Sequence, residues 1–290
     1  PSRVCIFRGC TRGDRRMNFI QDIQTYEFLQ KALFTSVMVG IIAGVLGSFI
    51  ILRGMSLMGD AISHAILPGV AISYMMGISY FYGAVTFGLL TAFGIGFITQ
   101  NSRIKNDTSI GIVFSAFFAL GIILIGKANT STDLTSILFG NVLAVRDSDM
   151  WMTLGIGIAV LLVIFLFYKE FLVSTFDPTL AASYGLSNKV IHYVLMILLT
   201  LVTVASLQTV GIILVVAMLI TPAATAYLLT NRLSYMILIS SILGALSAMI
   251  GLYISFIYNW PSGAAIVLVT TVFFLIALLF SPKHGIVWRS

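Results

Sequence analysis

The chain has 290 residues and a formal net charge of +6, and 59% of its residues are hydrophobic while only 9% are charged. Soluble domains carry about 25% charged residues, so this chain lacks the polar surface that would coat a water-soluble globule. Because its basic residues lie singly or in pairs at the ends of apolar runs, they indicate orientation in a membrane and exclude a nucleic-acid-binding protein.

Two hydrophilic segments come before the apolar part of the chain. Residues 1–16 are Arg-rich, contain both cysteines and lack the apolar core of a signal peptide, so we expect a leader outside the fold and no disulfide framework. Residues 17–31 mix acids, amides and aromatics with a rough helical period. That pattern predicts a short amphipathic helix lying at the membrane interface.

Nine apolar runs follow, each of about 20 residues, the length of helix that crosses ~30 Å of hydrocarbon. Residues 156–167 are apolar at every position, unlike the alternating strands of a transmembrane barrel. The sequence therefore predicts an all-α, polytopic helical membrane bundle of eight or nine transmembrane helices over residues 32–280; a count of ten also fits. The predicted spans are 32–52, 55–78, 81–100, 108–126, 150–168, 191–207, 209–229, 233–258 and 261–280.

The basic residues collect on alternate connections, which places those connections in the cytoplasm. We expect a multi-pass protein of the cytoplasmic membrane, in contact with lipid, with its C-terminus inside and residues 281–290 as a cytoplasmic tail. The predicted cytoplasmic residues are Arg53, Arg103, Lys105, Lys169, Lys189, Arg232, Lys283 and Arg289.

Small residues recur within the first and third predicted spans. Glycines on a helix face permit close approach between membrane helices, so we predict a packing role for them and no chemistry. They are Gly40, Gly44, Gly47, Gly83, Gly88, Gly94 and Gly96.

Asp60 and His64 are the polar pair within the second predicted span. Residues i and i+4 share one face of a helix with Cβ atoms ~5–6 Å apart, so the two side chains can converge on a divalent cation. A carboxylate within a span costs at least about 2.5 kcal/mol and needs a partner or a water-filled path. A hydrogen bond between the two residues, or a helix cap, would explain them without a metal.

Two ligands leave the coordination shell of a divalent cation incomplete. A second copy of the chain with the same helix at a twofold axis would double the set. Pro68, one turn on, removes a backbone donor and frees a carbonyl that could add a further ligand. For both Pro68 and Pro222 the alternative interpretation is a helix kink that serves packing alone.

A second polar element lies between two spans, within residues 169–189. Asp177 is a good N-cap, Pro178 suits the first helical position, and Gly185 suits a C-terminal stop. These residues predict a helix of about two turns over 178–184. It is either an interfacial connector or a docking element for a cytoplasmic partner.

Five stretches in this order resemble the ABC-type divalent metal permease family (ABC-3), in particular its manganese/iron branch. The similarity covers nearly the whole chain from Met17 to Phe280. The stretches are RGMSLMGDAISHAILPGVAISY (53–74), LTSILFGNVLAV (134–145), FDPTLAASYGLS (176–187), VGIILVVAMLITPAATAYLL (210–229) and WPSGAAIVLV (260–269).

The resemblance implies a homodimer of permease subunits with cytoplasmic ABC ATPase subunits, fed by an extracellular metal-binding lipoprotein or a periplasmic solute-binding protein. It implies that Asp60 and His64 are the metal-pathway pair. It also implies a coupling helix at about 177–186, and the matching residues are Asp177, Pro178, Ala181, Ala182 and Gly185.

We therefore predict the permease subunit of a bacterial importer of Mn²⁺, with Fe²⁺ as a further cargo. Zn²⁺ remains the alternative, because a carboxylate and an imidazole without thiolate also suit zinc. An ion-coupled secondary transporter is a third reading. The sequence has no phosphate-binding loop and no nucleophile motif, so we expect neither an enzyme nor a permanently bound cofactor, and ATP hydrolysis in a separate subunit.

Overall fold

A computed structural model describes residues 27–127 and 145–281, and within them every regular element is an α-helix. The helices are α1 Glu27–Leu52, α2 Met58–Ala65, α3 Leu67–Met76, α4 Tyr80–Asn101, α5 Asn106–Lys127, α6 Asp147–Leu166, α7 Tyr168–Phe176, α8 Pro178–Ser183, α9 Asn188–Val210, α10 Ile212–Leu229, α11 Leu233–Tyr258 and α12 Ser262–Phe280. The predicted leader, residues 17–26 of the predicted interfacial helix, residues 134–144 of the 134–145 motif and residues 282–290 of the predicted tail lie outside the described residues.

Eight of the described helices are long and apolar enough to cross a membrane: α1, α4, α5, α6, α9, α10, α11 and α12. They correspond to eight of the nine predicted spans, and the all-α membrane bundle is confirmed. Residues 27–31, predicted to belong to an interfacial helix, form the first turns of α1. Their position relative to the membrane stays a prediction.

The second predicted span, 55–78, is interrupted and is not one continuous helix. Two short helices, α2 and α3, meet at Ile66. The physical reason is Pro68, which has no N–H to donate to the carbonyl four residues earlier and whose ring crowds that turn. The Val70 N–H still donates to the Ile66 carbonyl at 3.1 Å, so the backbone bends at this point and continues as a helix.

Helix α1 packs closely on α10 and α11 through its glycines, as the sequence predicted. A Cβ atom at Gly40 would lie 2.7 Å from the Gly244 carbonyl oxygen on α11, and one at Gly44 would lie 2.8 Å from that of Ser240. At Gly47 a Cβ would meet the Leu219 carbonyl oxygen on α10. Only glycine allows these contacts, so α1, α10 and α11 form the tightly packed frame of the bundle.

Two of the connections predicted to be cytoplasmic, the one at Arg53 and the one within residues 169–189, lie at the same end of the bundle. The Arg53 guanidinium, just after α1, donates to the Thr175 hydroxyl at 3.1 Å near the end of α7. The opposite end of α1 contacts the start of α6, where Lys31 pairs with Asp147 at 2.6 Å. Which of these two ends faces the cytoplasm stays a prediction.

Candidate metal pathway

Asp60 and His64 lie together on one face of α2. Helical spacing brings His64 Nε2 to 3.6 Å from Asp60 Oδ1, and the side chains are 29% and 48% exposed. That distance is longer than a hydrogen bond, and no side-chain bond caps the start of α2. The two groups nevertheless lie within ion-pair distance of one another. The pair presents one oxygen and one nitrogen donor to open space.

The His64 ring is held by two phenylalanine rings from α5. Its centroid lies 5.8 Å from that of Phe114 and 5.7 Å from that of Phe118, both in edge-on geometry. His64 Nδ1 is buried and has no hydrogen-bond partner. Aromatic packing, and not a hydrogen bond to Nδ1, therefore sets the orientation of the imidazole.

A cavity of about 470 Å³ opens in front of the pair. Its opposite wall is the face of α10, and of the lining residues on that wall only Thr221 carries a polar side chain. The cavity is lined by Asp60, His64, Ile212, Ile213, Val216, Ala217, Ile220 and Thr221. The cavity thus has the two polar side chains of α2 on one side and an almost wholly apolar wall on the other.

The donor set on one chain is small. Across residues 27–127 and 145–281, no group of three or more His, Cys, Asp and Glu side chains could hold an ion. Neither Pro68 nor Pro222 lines the cavity, but the carbonyl that Pro68 leaves without its helical donor is that of His64, which does line it. A full shell therefore needs water or donors from outside this part of the chain.

The second predicted element is present as α8. Asp177 Oδ1 accepts from the Thr179 hydroxyl at 2.6 Å and from the backbone N–H groups of Thr179 and Leu180 at 3.1 and 2.9 Å. The Thr179 hydroxyl, followed by the Leu180 N–H, lowers the pKa of Asp177 because these bonds stabilise the carboxylate. Gly185 has φ +77° and ends the helix in the left-handed conformation.

One face of α8 is anchored and the rest is open. Ala181 is fully buried, whereas Ala182 and Gly185 are exposed. Apolar side chains also reach solvent around the helix: Phe176 is 56%, Leu180 44% and Tyr184 73% exposed. Sequence reasoning did not identify these three residues, although aromatic and leucine side chains beside a polar capped helix are a usable signal.

A helical membrane protein with a carboxylate–imidazole pair facing a cavity between its spans is of the membrane-transporter class. Residues 25–281 match the ABC 3 transport family, and the chain belongs to that family. The predicted family membership is thereby confirmed, and the chain is a multi-pass protein of the bacterial cell membrane.

Named relatives and solved structures agree with this assignment. The Manganese transport system membrane protein MntC of Listeria monocytogenes is 70% identical over 94% of this chain and 98% of that protein. The Manganese import system permease protein ScaB of Streptococcus parasanguinis is 59% identical over 92% of this chain and 95% of that protein.

The solved structure of PsaBC from Streptococcus pneumoniae in complex with Fab is 56% identical with a TM-score of 0.83, over 92% of this chain and 96% of that one. An inward-facing conformation of a putative metal-chelate type ABC transporter is 17% identical with a TM-score of 0.70, over 89% and 87% of the two chains. At that identity the likeness concerns the fold alone.

Proposed function

We propose that this chain is the membrane-spanning permease of an ATP-driven importer and that its cargo is Mn²⁺. The observation that carries the proposal is the Asp60–His64 pair, 3.6 Å apart, facing the cavity against α10. In this proposal both side chains bind the ion while it passes. The chain makes and breaks no covalent bond, and ATP is hydrolysed by a separate cytoplasmic subunit.

The choice of manganese rests on ligand chemistry together with the names of the relatives. Carboxylate and imidazole ligands without thiolate suit Mn²⁺, but they suit Fe²⁺ and Zn²⁺ as well. The two relatives cited above are named as manganese proteins. A protein of Haemophilus influenzae that is 44% identical is named a probable iron transport system membrane protein, so Fe²⁺ is the second candidate cargo.

The incomplete ligand set supports a homodimer. Each chain offers Asp60 and His64, so two copies of α2 facing one another would supply two carboxylates and two imidazoles, a set that suits a divalent cation. An extracellular metal-binding lipoprotein or a periplasmic solute-binding protein would deliver the ion to this assembly.

The open side of α8 supports its assignment as the coupling helix. Asp177 and Pro178 fix where the helix begins and Gly185 fixes where it ends, while Ala181 anchors it to the bundle. Ala182 and its exposed neighbours are left available to a cytoplasmic ATPase subunit. Closure of the two ATPase subunits would push α8 and open the cavity toward the cytoplasm.

The proposal is tested by uptake of radioactive Mn²⁺ into vesicles that hold the chain, its ATPase subunit and its binding protein. We expect ATP-dependent uptake that Asp60→Asn and His64→Gln abolish, because each roughly keeps the side-chain size while it replaces the carboxylate or the imidazole nitrogen by a neutral, weaker amide ligand. Asp107→Ala removes an exposed carboxylate at the start of α5 and serves as the matched control, with normal uptake.

Two results would contradict the proposal. Uptake without the ATPase subunit would indicate a secondary transporter, and normal uptake by both site variants would move the pathway elsewhere. Uptake of radioactive Fe²⁺ and Zn²⁺ by the same vesicles, measured beside that of Mn²⁺, ranks the three cargoes, and faster uptake of Zn²⁺ than of Mn²⁺ would replace manganese with zinc.

A further inference from the structure

Arg53 is a half-buried arginine that no described carboxylate neutralises. It lies in the short connection between α1 and α2, and the ion pairs within the described residues do not include it. Burial lowers the pKa of its guanidinium. Arginine presents its donors in a rigid planar fork, and here two of them are used on neighbouring hydroxyls. Burying a charged group without a counter-charge costs free energy, which is not expected of a residue whose only role is to orient the chain in the membrane.

The Arg53 guanidinium donates two hydrogen bonds to the last turn of α7. Nε donates to the Thr175 hydroxyl at 3.1 Å and one terminal nitrogen donates to the Ser174 hydroxyl at 2.9 Å. Nearby, the rings of Phe49 on α1 and Phe171 on α7 lie 5.7 Å apart. The end of α1 and the end of α7 are therefore joined by one apolar and two polar contacts.

Ser174 is connected through Asn188 to the first residue of α8. Its hydroxyl donates to Asn188 Oδ1 at 3.1 Å, and Asn188 Nδ2 donates to the Pro178 carbonyl at 2.7 Å. Pro178 is the first residue of α8, and Asn188 is the first residue of α9. Every hydrogen bond runs in the same sense from Arg53 to Pro178. We name these four residues, Arg53, Ser174, Asn188 and Pro178, the Arg53 relay.

The other end of the relay leads to the metal pair. Only residues 53–57 separate α1 from α2, and they are folded tightly: the Met55 N–H donates to the Ile50 carbonyl and the Met58 N–H to the Met55 carbonyl, both at 3.0 Å. Met55 is buried. Asp60 follows in the first turn of α2. The connection from Arg53 to the start of α2 is therefore short and internally hydrogen-bonded.

We propose that the Arg53 relay makes Arg53 a positioning residue that couples movement of α8 to the orientation of Asp60 and His64. The inference rests on the proposed function and deepens it, since it assigns a path through named side chains between the coupling helix and the ion. When α8 is displaced, the Pro178 carbonyl pulls Asn188, and the pull reaches α2 through Ser174 and Arg53.

Two conservative variants cut the relay at different points. Arg53→Lys keeps the charge but cannot donate to both hydroxyls from a planar fork. Asn188→Asp keeps the Oδ1 acceptor for Ser174 and loses the donor to Pro178, while an acid in the first turn of α9 suits the helix dipole. Arg103→Lys, at an exposed arginine after α4, is the matched control.

The experiment measures Mn²⁺ uptake and ATP hydrolysis in the same vesicles and takes their ratio. We expect Arg53→Lys and Asn188→Asp to retain ATP hydrolysis while the Mn²⁺ transported per ATP falls roughly fivefold or more, the scale of coupling that one contact network carries. The double variant should lose no more than either single variant, because both changes interrupt one series path.

Several outcomes would overturn the relay. Normal Mn²⁺ per ATP in both variants shows that it transmits nothing, and losses that multiply in the double variant show two independent effects. A parallel fall in thermal stability, hydrolysis and uptake at an unchanged ratio shows that Arg53 only holds the fold. If wild-type vesicles transport no Mn²⁺, the proposed function fails and the relay fails with it; if they transport and the variants are normal, the relay alone fails.

Discussion

Replacing Gly44 by Ala tests the close packing of α1 on α11. The added Cβ would lie 2.8 Å from both the carbonyl carbon and the carbonyl oxygen of Ser240 and 2.9 Å from the Ser241 nitrogen. All three are backbone atoms, so no side chain can turn aside and the helices must separate by about 0.6 Å to reach ordinary contact. Overpacking of this kind costs about 1–3 kcal/mol.

Separation also weakens the polar contact beside Gly44. The Ser240 hydroxyl donates to the Gly44 carbonyl at 2.8 Å and lies 2.9 Å from the Ser48 hydroxyl. Interhelical hydrogen bonds of this kind average about 0.6 kcal/mol, which brings the expected loss to roughly 2–4 kcal/mol. A chain of this size should then melt roughly 4 °C or more below wild type.

Thermal unfolding of the detergent-purified protein measures the effect. Gly111→Ala is the matched control, since a Cβ at Gly111 on α5 meets nothing within 4 Å and Ala is the better helix former by up to about 1 kcal/mol. We expect Gly111→Ala to melt at or slightly above wild type. Equal melting temperatures for Gly44→Ala and Gly111→Ala would refute the packing argument.

Three further predictions concern the site and α8. Phe118→Leu removes one of the rings that orient His64, so we expect Mn²⁺ binding weaker by roughly tenfold in a titration of purified protein, with Phe93→Leu unchanged; equal affinities would contradict this. Hydrogen bonds lower the pKa of Asp177, so its carboxylate caps α8 above the ordinary carboxyl range and is lost as pH falls through the lowered pKa. The hydrogen exchange of α8, corrected for the intrinsic rate, should therefore stay flat from about pH 8 to 5 and rise only below about pH 4. A rise between about pH 6 and 5 would contradict that sign. Gly185→Ala should reduce exchange protection of α8 roughly tenfold, and Gly185→Asn less, because φ is +77° and Asn tolerates that conformation; equal protection would show no strain.

The spans could be predicted because hydropathy is a property of consecutive residues. The bend at Ile66 could not be placed from hydropathy, since the run 55–78 is apolar across it. Pro68 was noted as a source of a free carbonyl, yet whether a proline bends or breaks a membrane helix depends on the neighbours that pack around it. Here Gly121 of α5 lies against Leu67 and Pro68 and accommodates the bend.

The caps of α8 and the pairing of Asp60 with His64 follow rules that act within four residues, so the sequence predicted both. The rings that hold His64 lie some fifty residues away on α5, and their contact exists only after the bundle has packed. Arg53 was predicted as a charge that orients the chain in the membrane. Its hydroxyl partners are separated from it by more than a hundred residues, and no local pattern connects them.

The two-donor set on α2 has a consequence for gene dosage. If a working assembly draws Asp60 and His64 from each of two chains, a chain that lacks its carboxylate spoils every pair it enters. Expressed in equal amount beside the wild type, an Asp60→Asn chain would leave only about a quarter of the pairs intact. A cell carrying both forms would then behave more like the mutant than like the wild type, a dominance that a self-sufficient subunit would not produce.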